Sequence, residues 1–307
     1  MLPFGGRMFK RCLFMVSVLF LYSLLAVSPL QAQSPQITNG LGYLTSSQSP
    51  DGTWASSTAL VETTAATVSA LEALKLLNQT AGTSYSTGAA WLQGQLPLTV
   101  DYIAERIRAL SLADGSVNAL IPSRDQVRGA WGGYAGFELN YIDTALALQA
   151  LKAANYTDLS ISNTALAYLT GGQNSDGGWG FTPGDDSNVF VTAQVLSALA
   201  QFRNTYLIDQ QLAKGAALLY SAQNSDGGFG TGASTVYETA LAFIALVESG
   251  QIGAQQAAPL QNAVNYLTTS QSADGSWNDD PYFTALALCK LSLHCKLSLH
   301  FPYLFVL

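Results

Sequence analysis

Two kinds of apolar segment alternate along the chain from residue 40 onwards. The first kind carries an aromatic-aliphatic or Leu-Leu pair, and the second kind generally begins with Thr-Ala and continues in Ala and Leu at helical spacing. No stretch shows the strict alternation of a half-buried strand, so the pattern predicts an all-α protein of six helix pairs. The first kind is predicted at 40–47, 88–95, 117–125, 164–172, 214–222 and 263–270, and the second at 64–71, 99–110, 144–151, 192–199, 239–246 and 284–291.

A polar turn separates the two helices of most pairs and reads Gln-x-x-Asp-Gly-x-Trp in its clearest form. Its Asp recurs at positions 176, 226 and 274, and a period of this length indicates a repeat architecture. The five copies run from Gln48 to Trp54, Gln126 to Trp131, Gln173 to Trp179, Gln223 to Phe229 and Gln271 to Trp277. The copy that ends at Trp131 is degenerate.

The residue types of this turn indicate a structural role. Glycine supplies the positive φ of a sharp reversal, and the Gln amide can satisfy backbone groups left open at helix ends. The Trp or Phe ring can then pack over the turn and exclude water. We therefore interpret the ten Gln, Trp and Phe residues as a clasp, with a ligand-stacking array of Trp rings as the alternative.

The composition of the two helix types predicts how they are arranged. Ala in the second helices permits close approach of backbones, as an inner ring requires, while the bulkier first helices suit an outer layer. Six such pairs can close into an α/α toroid of inner and outer helix rings, which leaves no open ends to cap. An open superhelix of similar repeats is the competing geometry.

The N-terminus predicts export. Three basic residues precede an apolar run at 12–27, and residues 30–32 suit cleavage after Ala32, so we interpret 1–32 as a signal peptide and 33–294 as the toroid. A retained membrane anchor is the alternative; the signal-peptide interpretation leaves no membrane span in the mature chain, which would be secreted or periplasmic. Removing three basic residues takes the formal charge from -7 to -10, and so acidic a chain is a poor partner for nucleic acid.

The last residues, 295–307, form an aberrant tail. The hexapeptide CKLSLH at 289–294 is repeated at once at 295–300 and followed by an apolar string. We interpret the second copy as a duplication or frame change that breaks the helical register, with a Cys-His metal tract as the alternative. Both histidines of the chain lie in this region, so the sequence predicts no metal site and no cofactor.

The repeat resembles a known sequence motif. The spacing from a small residue through an aromatic-aliphatic pair and Gln to Gly-x-Trp is similar to the QW repeat of squalene and oxidosqualene cyclases and of the wider prenyltransferase repeat superfamily. It fits in full where the turn ends at Trp54, Trp179, Phe229 and Trp277, and in part at Trp131. The resemblance spans about residues 39 to 291 and implies the α/α toroid, with the Thr-Ala helices inside.

The same resemblance directs the search for chemistry. Class II terpene cyclases begin their reaction with an Asp-x-Asp-Asp acid just before an inner Thr-Ala, and none of the five Thr-Ala positions of this chain has that motif in front of it. Asp185 and Asp186 lie too early, in the preceding loop. Glu62, Asp143 and Glu238 do mark inner-helix starts, where an acid suits the helix dipole. The alternative is that these three ring one mouth of the cavity and contact a ligand.

The sequence thus favours a toroid that binds a small molecule in its central cavity, with no intact cyclase or zinc chemistry. An isoprenoid lipid, a glycan and a corrinoid remain open as ligand classes. The rival hypothesis is an enzyme: a terpenoid cyclase that uses an inner-helix carboxylate as general acid, or a glycan-active toroid with paired carboxylates. An aromatic lumen with one acid of raised pKa would favour the cyclase.

Overall fold

The computed structural model describes residues 34–56, 62–96, 98–112, 116–253 and 255–300, with side chains to His294. The predicted signal peptide lies outside these residues, as does the end of the tail. From Gln36 onwards the chain forms one compact unit. The described residues form twelve α-helices and no strand: α1 Pro35–Ser46, α2 Thr63–Leu76, α3 Thr83–Gln93, α4 Val100–Leu110, α5 Ser116–Leu120, α6 Tyr141–Ala153, α7 Leu159–Gly171, α8 Val189–Ala200, α9 Asp209–Ser221, α10 Val236–Ser249, α11 Ala257–Thr269 and α12 Pro281–His300.

The even-numbered helices form a closed inner ring. Each packs against the next in the order α2, α4, α6, α8, α10 and α12, and α12 packs back onto α2. A hydrogen bond from Ser56 Oγ to Asp280 Oδ2, 2.6 Å long, adds to this closure. The predicted toroid is therefore confirmed, and the open superhelix is excluded.

The odd-numbered helices form the outer layer. α3, α9 and α11 each pack between two neighbouring inner helices, while α5 and α7 pack on α4 and α6 respectively. The weak third copy, predicted at 117–125, is the five-residue helix α5, which stops before Pro122 because proline cannot continue a helix. None of the described helices meets the length and hydropathy that a bilayer crossing requires.

The repeated turn holds three helices together. In the Gln173 copy, Nε2 donates to Gly177 O at 2.8 Å and to Gln211 O of the next outer helix at 2.9 Å. Trp179 Nε1 donates to Leu169 O of its own outer helix at 2.7 Å. The other full copies repeat the Gln pattern, from Gln48 to Ser84 O, Gln223 to Pro259 O and Gln271 to Gln36 O.

The aromatic rings of the repeated turn are fully buried. The side chains of Trp54, Trp131, Trp179, Phe229 and Trp277 are all 0% exposed, so none offers a ring face to a ligand. In the degenerate copy, Gln126 Nε2 donates to the neighbouring Arg124 O and reaches no other helix, while Arg124 Nη1 donates to Thr164 Oγ1 of the next outer helix at 2.8 Å.

The backbone of the tail differs from the expectation. α12 remains helical from Pro281 to His300, through both copies of the hexapeptide, so the duplication does not interrupt the helix.

Candidate functional site

A threonine near the start of five of the six inner helices defines a common register. Its Oγ1 accepts the backbone N-H of the Trp or Phe of the turn, at 2.8 to 3.1 Å, in five of the six pairs. The five threonines are Thr67, Thr144, Thr192, Thr239 and Thr284. In α2 the equivalent residue is thus Thr67, three positions after the Thr64 that opens the predicted Thr-Ala segment.

Three positions in this register face the lumen of the ring. They lie two residues before the threonine, two after it and five after it, and most keep some exposed surface on otherwise buried helices. α4 lacks the threonine but repeats the spacing with Asp101, Glu105 and Arg108. The first layer contains Ala65, Asp101, Ile142, Phe190, Tyr237 and Tyr282; the second Ser69, Glu105, Leu146, Gln194, Leu241 and Leu286; the third Glu72, Arg108, Gln149, Ser197, Ile244 and Cys289.

An arc of aromatic rings covers one half of the first layer. Phe190, Tyr237 and Tyr282 stand at the same position on three consecutive helices, with ring centroids 5.5 and 5.9 Å apart. Phe181 and Phe283 extend the arc at its two ends, at 6.2 and 5.5 Å. A side-chain hydrogen bond joins Tyr237 to Tyr282.

Glu105 is the acid of the second layer. Its Oε2 is buried and has no hydrogen-bond partner among the described residues. Desolvation raises the pKa of the Glu105 carboxyl to about 8, against the opposing charge of Arg108, so this group carries a proton at neutral pH. Burial is the main cause of the raised pKa values of Tyr237 and Tyr282 too, and the charge of Glu105 adds to both.

An ion pair lies one layer deeper. Arg108 Nη2 is 2.9 Å from Glu72 Oε1, and both side chains keep about a quarter of their surface exposed, at 25% and 28%. Burial opposes the charge of Arg108, but Glu72 and Glu105 outweigh it and raise its pKa. Glu248 of α10, the helix opposite α4, adds a smaller contribution that also raises the pKa of Arg108.

The three acids predicted from helix starts have local partners. Glu238 accepts Thr231 N at 3.2 Å and Thr235 Oγ1 at 3.1 Å, which closes the loop before α10. Asp143 is buried against Asn140, whose side chain donates to it, and burial raises the pKa of Asp143.

Glu62 stands apart from the other two. It precedes Thr67 by five residues, whereas Asp143 and Glu238 immediately precede their threonines, and it accepts a hydrogen bond from Tyr102. The structure therefore brings none of the three into the aromatic arc, and ligand contact by them stays a prediction. Asp185 is exposed and accepts Thr182 N at 2.8 Å within its loop.

Glu105 escaped the sequence analysis for a specific reason. A Thr-Ala pair marks the predicted start of the other inner helices, and α4 has no such pair. The spacing of four and then three residues in Asp101, Glu105 and Arg108 is a helical-face signal that could have found it. No group of three or more His, Cys, Asp or Glu side chains arranged to hold a metal occurs in the described part of the chain.

Family models match both halves of the chain. Residues 10–136 match the prenyltransferase alpha-alpha toroid domain, and residues 184–295 match the squalene-hopene cyclase C-terminal domain. The chain belongs to the squalene cyclase and prenyltransferase repeat superfamily. The matched ranges include most of the ring, and the superfamily suggested by the repeated turn is therefore confirmed.

Solved structures with this superfamily fold include the type II terpene cyclase MstE from Scytonema, with a TM-score of 0.67 and 15% identity over 87% of this chain and 100% of that one. A variant of MstE in complex with its substrate geranylgeranyl dihydroxybenzoate has a TM-score of 0.68 and 14% identity, over 86% of this chain and 97% of that one. A possible member of the GH105 family from Klebsiella pneumoniae has a TM-score of 0.63 and 11% identity, over 88% of this chain and 94% of that one.

At these identities the likeness shows the fold alone. A terpene cyclase and a possible GH105 member share this fold, so the fold by itself does not determine an activity. No curated protein matches the chain significantly.

Proposed function

We propose that this superfamily member is exported and binds a small molecule with an apolar body in its lumen. An isoprenoid lipid is the ligand class that fits best. The observation that supports this proposal is the lining itself: an aromatic arc stands above a layer with three leucines and one protonated carboxyl, Glu105. Such a lining provides apolar area for a ligand body and a protonated carboxyl that can orient it.

The charge on the lining favours a lipid over a glycan. Glycan chemistry requires two carboxylates on either side of one bond, but Asp101 and Glu105 stand one turn apart on the same helix, and Glu72 in the third layer is paired with Arg108. A corrinoid is large, flat and edged with amide groups, and it matches a lining of aromatic rings and leucines less well than an isoprenoid chain does. We therefore rank the isoprenoid class first.

A terpenoid cyclase is the second candidate, because Glu105 carries a proton inside an aromatic lumen. Its pKa of about 8 counts against this role, however, since a group that holds its proton so firmly is a weak donor to an alkene. The carboxyl is better suited to donating a hydrogen bond to a bound oxygen.

The test is native mass spectrometry of the full chain with farnesol, a maltooligosaccharide and cobalamin, followed by titration of whichever binds. We expect farnesol to bind at micromolar concentration and Glu105→Gln to change its affinity several-fold. Glu138→Gln, which alters an exposed loop acid, is the matched control and should have no effect. Binding of maltooligosaccharide or cobalamin alone would refute the lipid assignment, and conversion of a linear isoprenoid to a cyclic product would favour the cyclase.

A further inference from the structure

The first two layers of the lumen are divided into an aromatic side and an acidic side. Phe190, Tyr237 and Tyr282 occupy α8, α10 and α12, and the carboxyls of Asp101 and Glu105 belong to α4. α4 lies opposite α10 in the ring, so the carboxyls face the arc across the lumen.

Glu105 acts electrostatically on the arc. Burial is the main cause of the raised pKa values of Tyr237 and Tyr282, and the charge of Glu105 adds to both. Tyr237 stands on the helix opposite α4, and Tyr282 stands on α12, two helices away from α4. Glu105 Oε2 is buried and has no hydrogen-bond partner among the described residues. The nearest cation, Arg108, is engaged by Glu72 in the layer below.

Aromatic faces and a desolvated carboxylate share one preferred ligand. A quaternary or tertiary ammonium group is attracted to the negative faces of aromatic rings, and it needs no hydrogen bond from the site. A carboxylate opposite the rings supplies the charge that balances it. An ordinary hydrated ammonium ion is disfavoured, because the arc offers little to replace its water.

We propose that the lumen recognises the ammonium head of a small organic cation, held between the aromatic arc and Glu105, with the apolar body of the ligand extending along the leucines of the second layer. This inference rests on the proposed function, because it names the head group of the same lumen ligand. The inference differs from the proposed function because it requires the ligand to carry a positive charge.

The proposal makes proton release an observable. Free Glu105 is mostly protonated at pH 7, and a cation beside it favours the ionised form, so binding should expel a proton. The other groups that act on Glu105 are Arg108 and Asp101 on its own helix and Glu72 on α2, with Tyr237 and Tyr282 facing it from α10 and α12. Arg108 and Glu72 remain paired, so Glu105 is the group expected to ionise.

Two probes of equal shape test the charge requirement. They are (6-hydroxyhexyl)trimethylammonium and its neutral carbon isostere 7,7-dimethyloctan-1-ol, titrated calorimetrically into the full chain at pH 7 in two buffers of different ionisation enthalpy. We expect the cation to bind at least tenfold tighter than the isostere and to release up to about one proton per molecule bound.

Variants assign the effect to the site. Glu105→Gln should weaken the cation about tenfold and abolish the proton release, and Tyr237→Leu should weaken it several-fold, while Glu138→Gln should change neither. Equal affinity of the two probes, or an unchanged cation affinity in Glu105→Gln, would overturn the inference and leave the proposed function standing. If neither probe binds and farnesol fails as well, both proposals fall.

Discussion

At the scale of single residues, Lys290 is the outlier of the inner ring. Six residues after the common threonine position, five inner helices carry a fully buried alanine, at Ala73, Ala109, Ala150, Ala198 and Ala245. α12 carries Lys290 there, which is 1% exposed, and its Nζ has no hydrogen-bond partner among the described residues. Burial lowers the pKa of Lys290 to about 8, although Cys289 and Glu248 act in the opposite direction.

Replacing Lys290 with methionine should stabilise the protein. A lysine whose pKa is lowered on folding binds fewer protons in the native state than in the unfolded state, so stability rises with pH between about 8 and the unfolded value. At pH 7 the whole cost is present, and Lys290→Met should raise the free energy of unfolding by about 3 kcal/mol. Urea titrations at pH 7 and pH 10 measure this.

The gain from Lys290→Met should shrink at pH 10, where the native lysine is already neutral. The matched control is Lys214→Met on the exposed face of α9, which should leave stability within about 0.5 kcal/mol at both pH values. An equal gain at both pH values would mean that packing, and not the buried charge, causes the stabilisation.

At the scale of the helix pair, the turn was predictable and the lumen was not. Gln, Gly and Trp recur at fixed spacing because each makes the same local contact in every copy, and local repetition is visible in sequence. The lining of the lumen follows no repeated motif, since each of the six helices contributes its own residue to a space shared by all of them. Asp101, Glu105 and Arg108 were hidden because α4 lacks the threonine that marks the other inner helices.

The degenerate copy of the turn provides a test of the clasp. Gln223 Nε2 donates to Gly227 O and to Pro259 O of the next outer helix, whereas Gln126 Nε2 donates only to Arg124 O. Gln223→Ala leaves two part-buried carbonyls without their donor and should cost about 2 kcal/mol. Gln126→Ala should cost less than about 0.5 kcal/mol, and chemical denaturation compares the two. Similar losses in both variants would refute the clasp between helices.

At the scale of the whole molecule, ring closure places the two ends of the described chain in contact. Gln271 Nε2 donates to Gln36 O at 2.9 Å, which joins the last turn to the first outer helix across 235 positions of sequence. The bond has the same form as those within the chain. Continuity across this seam was inferred from the number of pairs, because no single turn carries a signal that the ring is closed.

The contact between the Gln271 turn and α1 should therefore contribute as much stability as the corresponding contacts elsewhere in the ring. Gln271→Ala should cost the same about 2 kcal/mol as Gln223→Ala and keep a single cooperative unfolding transition, because a ring has no terminal repeat to fray. Denaturation followed by Trp fluorescence and by circular dichroism measures both quantities. A smaller loss at Gln271, or transitions that no longer coincide between the two probes, would show that the ends open independently in solution.

The glycine of each full turn has a consequence for how this protein can vary. Gly177 has φ +96°, and a Cβ there would lie 2.6 Å from Lys214 O of the next outer helix; Gly275 stands in the same relation to Asn39 O across the seam. Each pair is thus fixed at one angle to its successor, one sixth of a full circle. Open repeat arrays gain and lose copies freely, but a seventh pair here would leave no angle in which to close. Copy number is held constant by geometry, and new ligands can be accommodated only by changing the residues that face inwards.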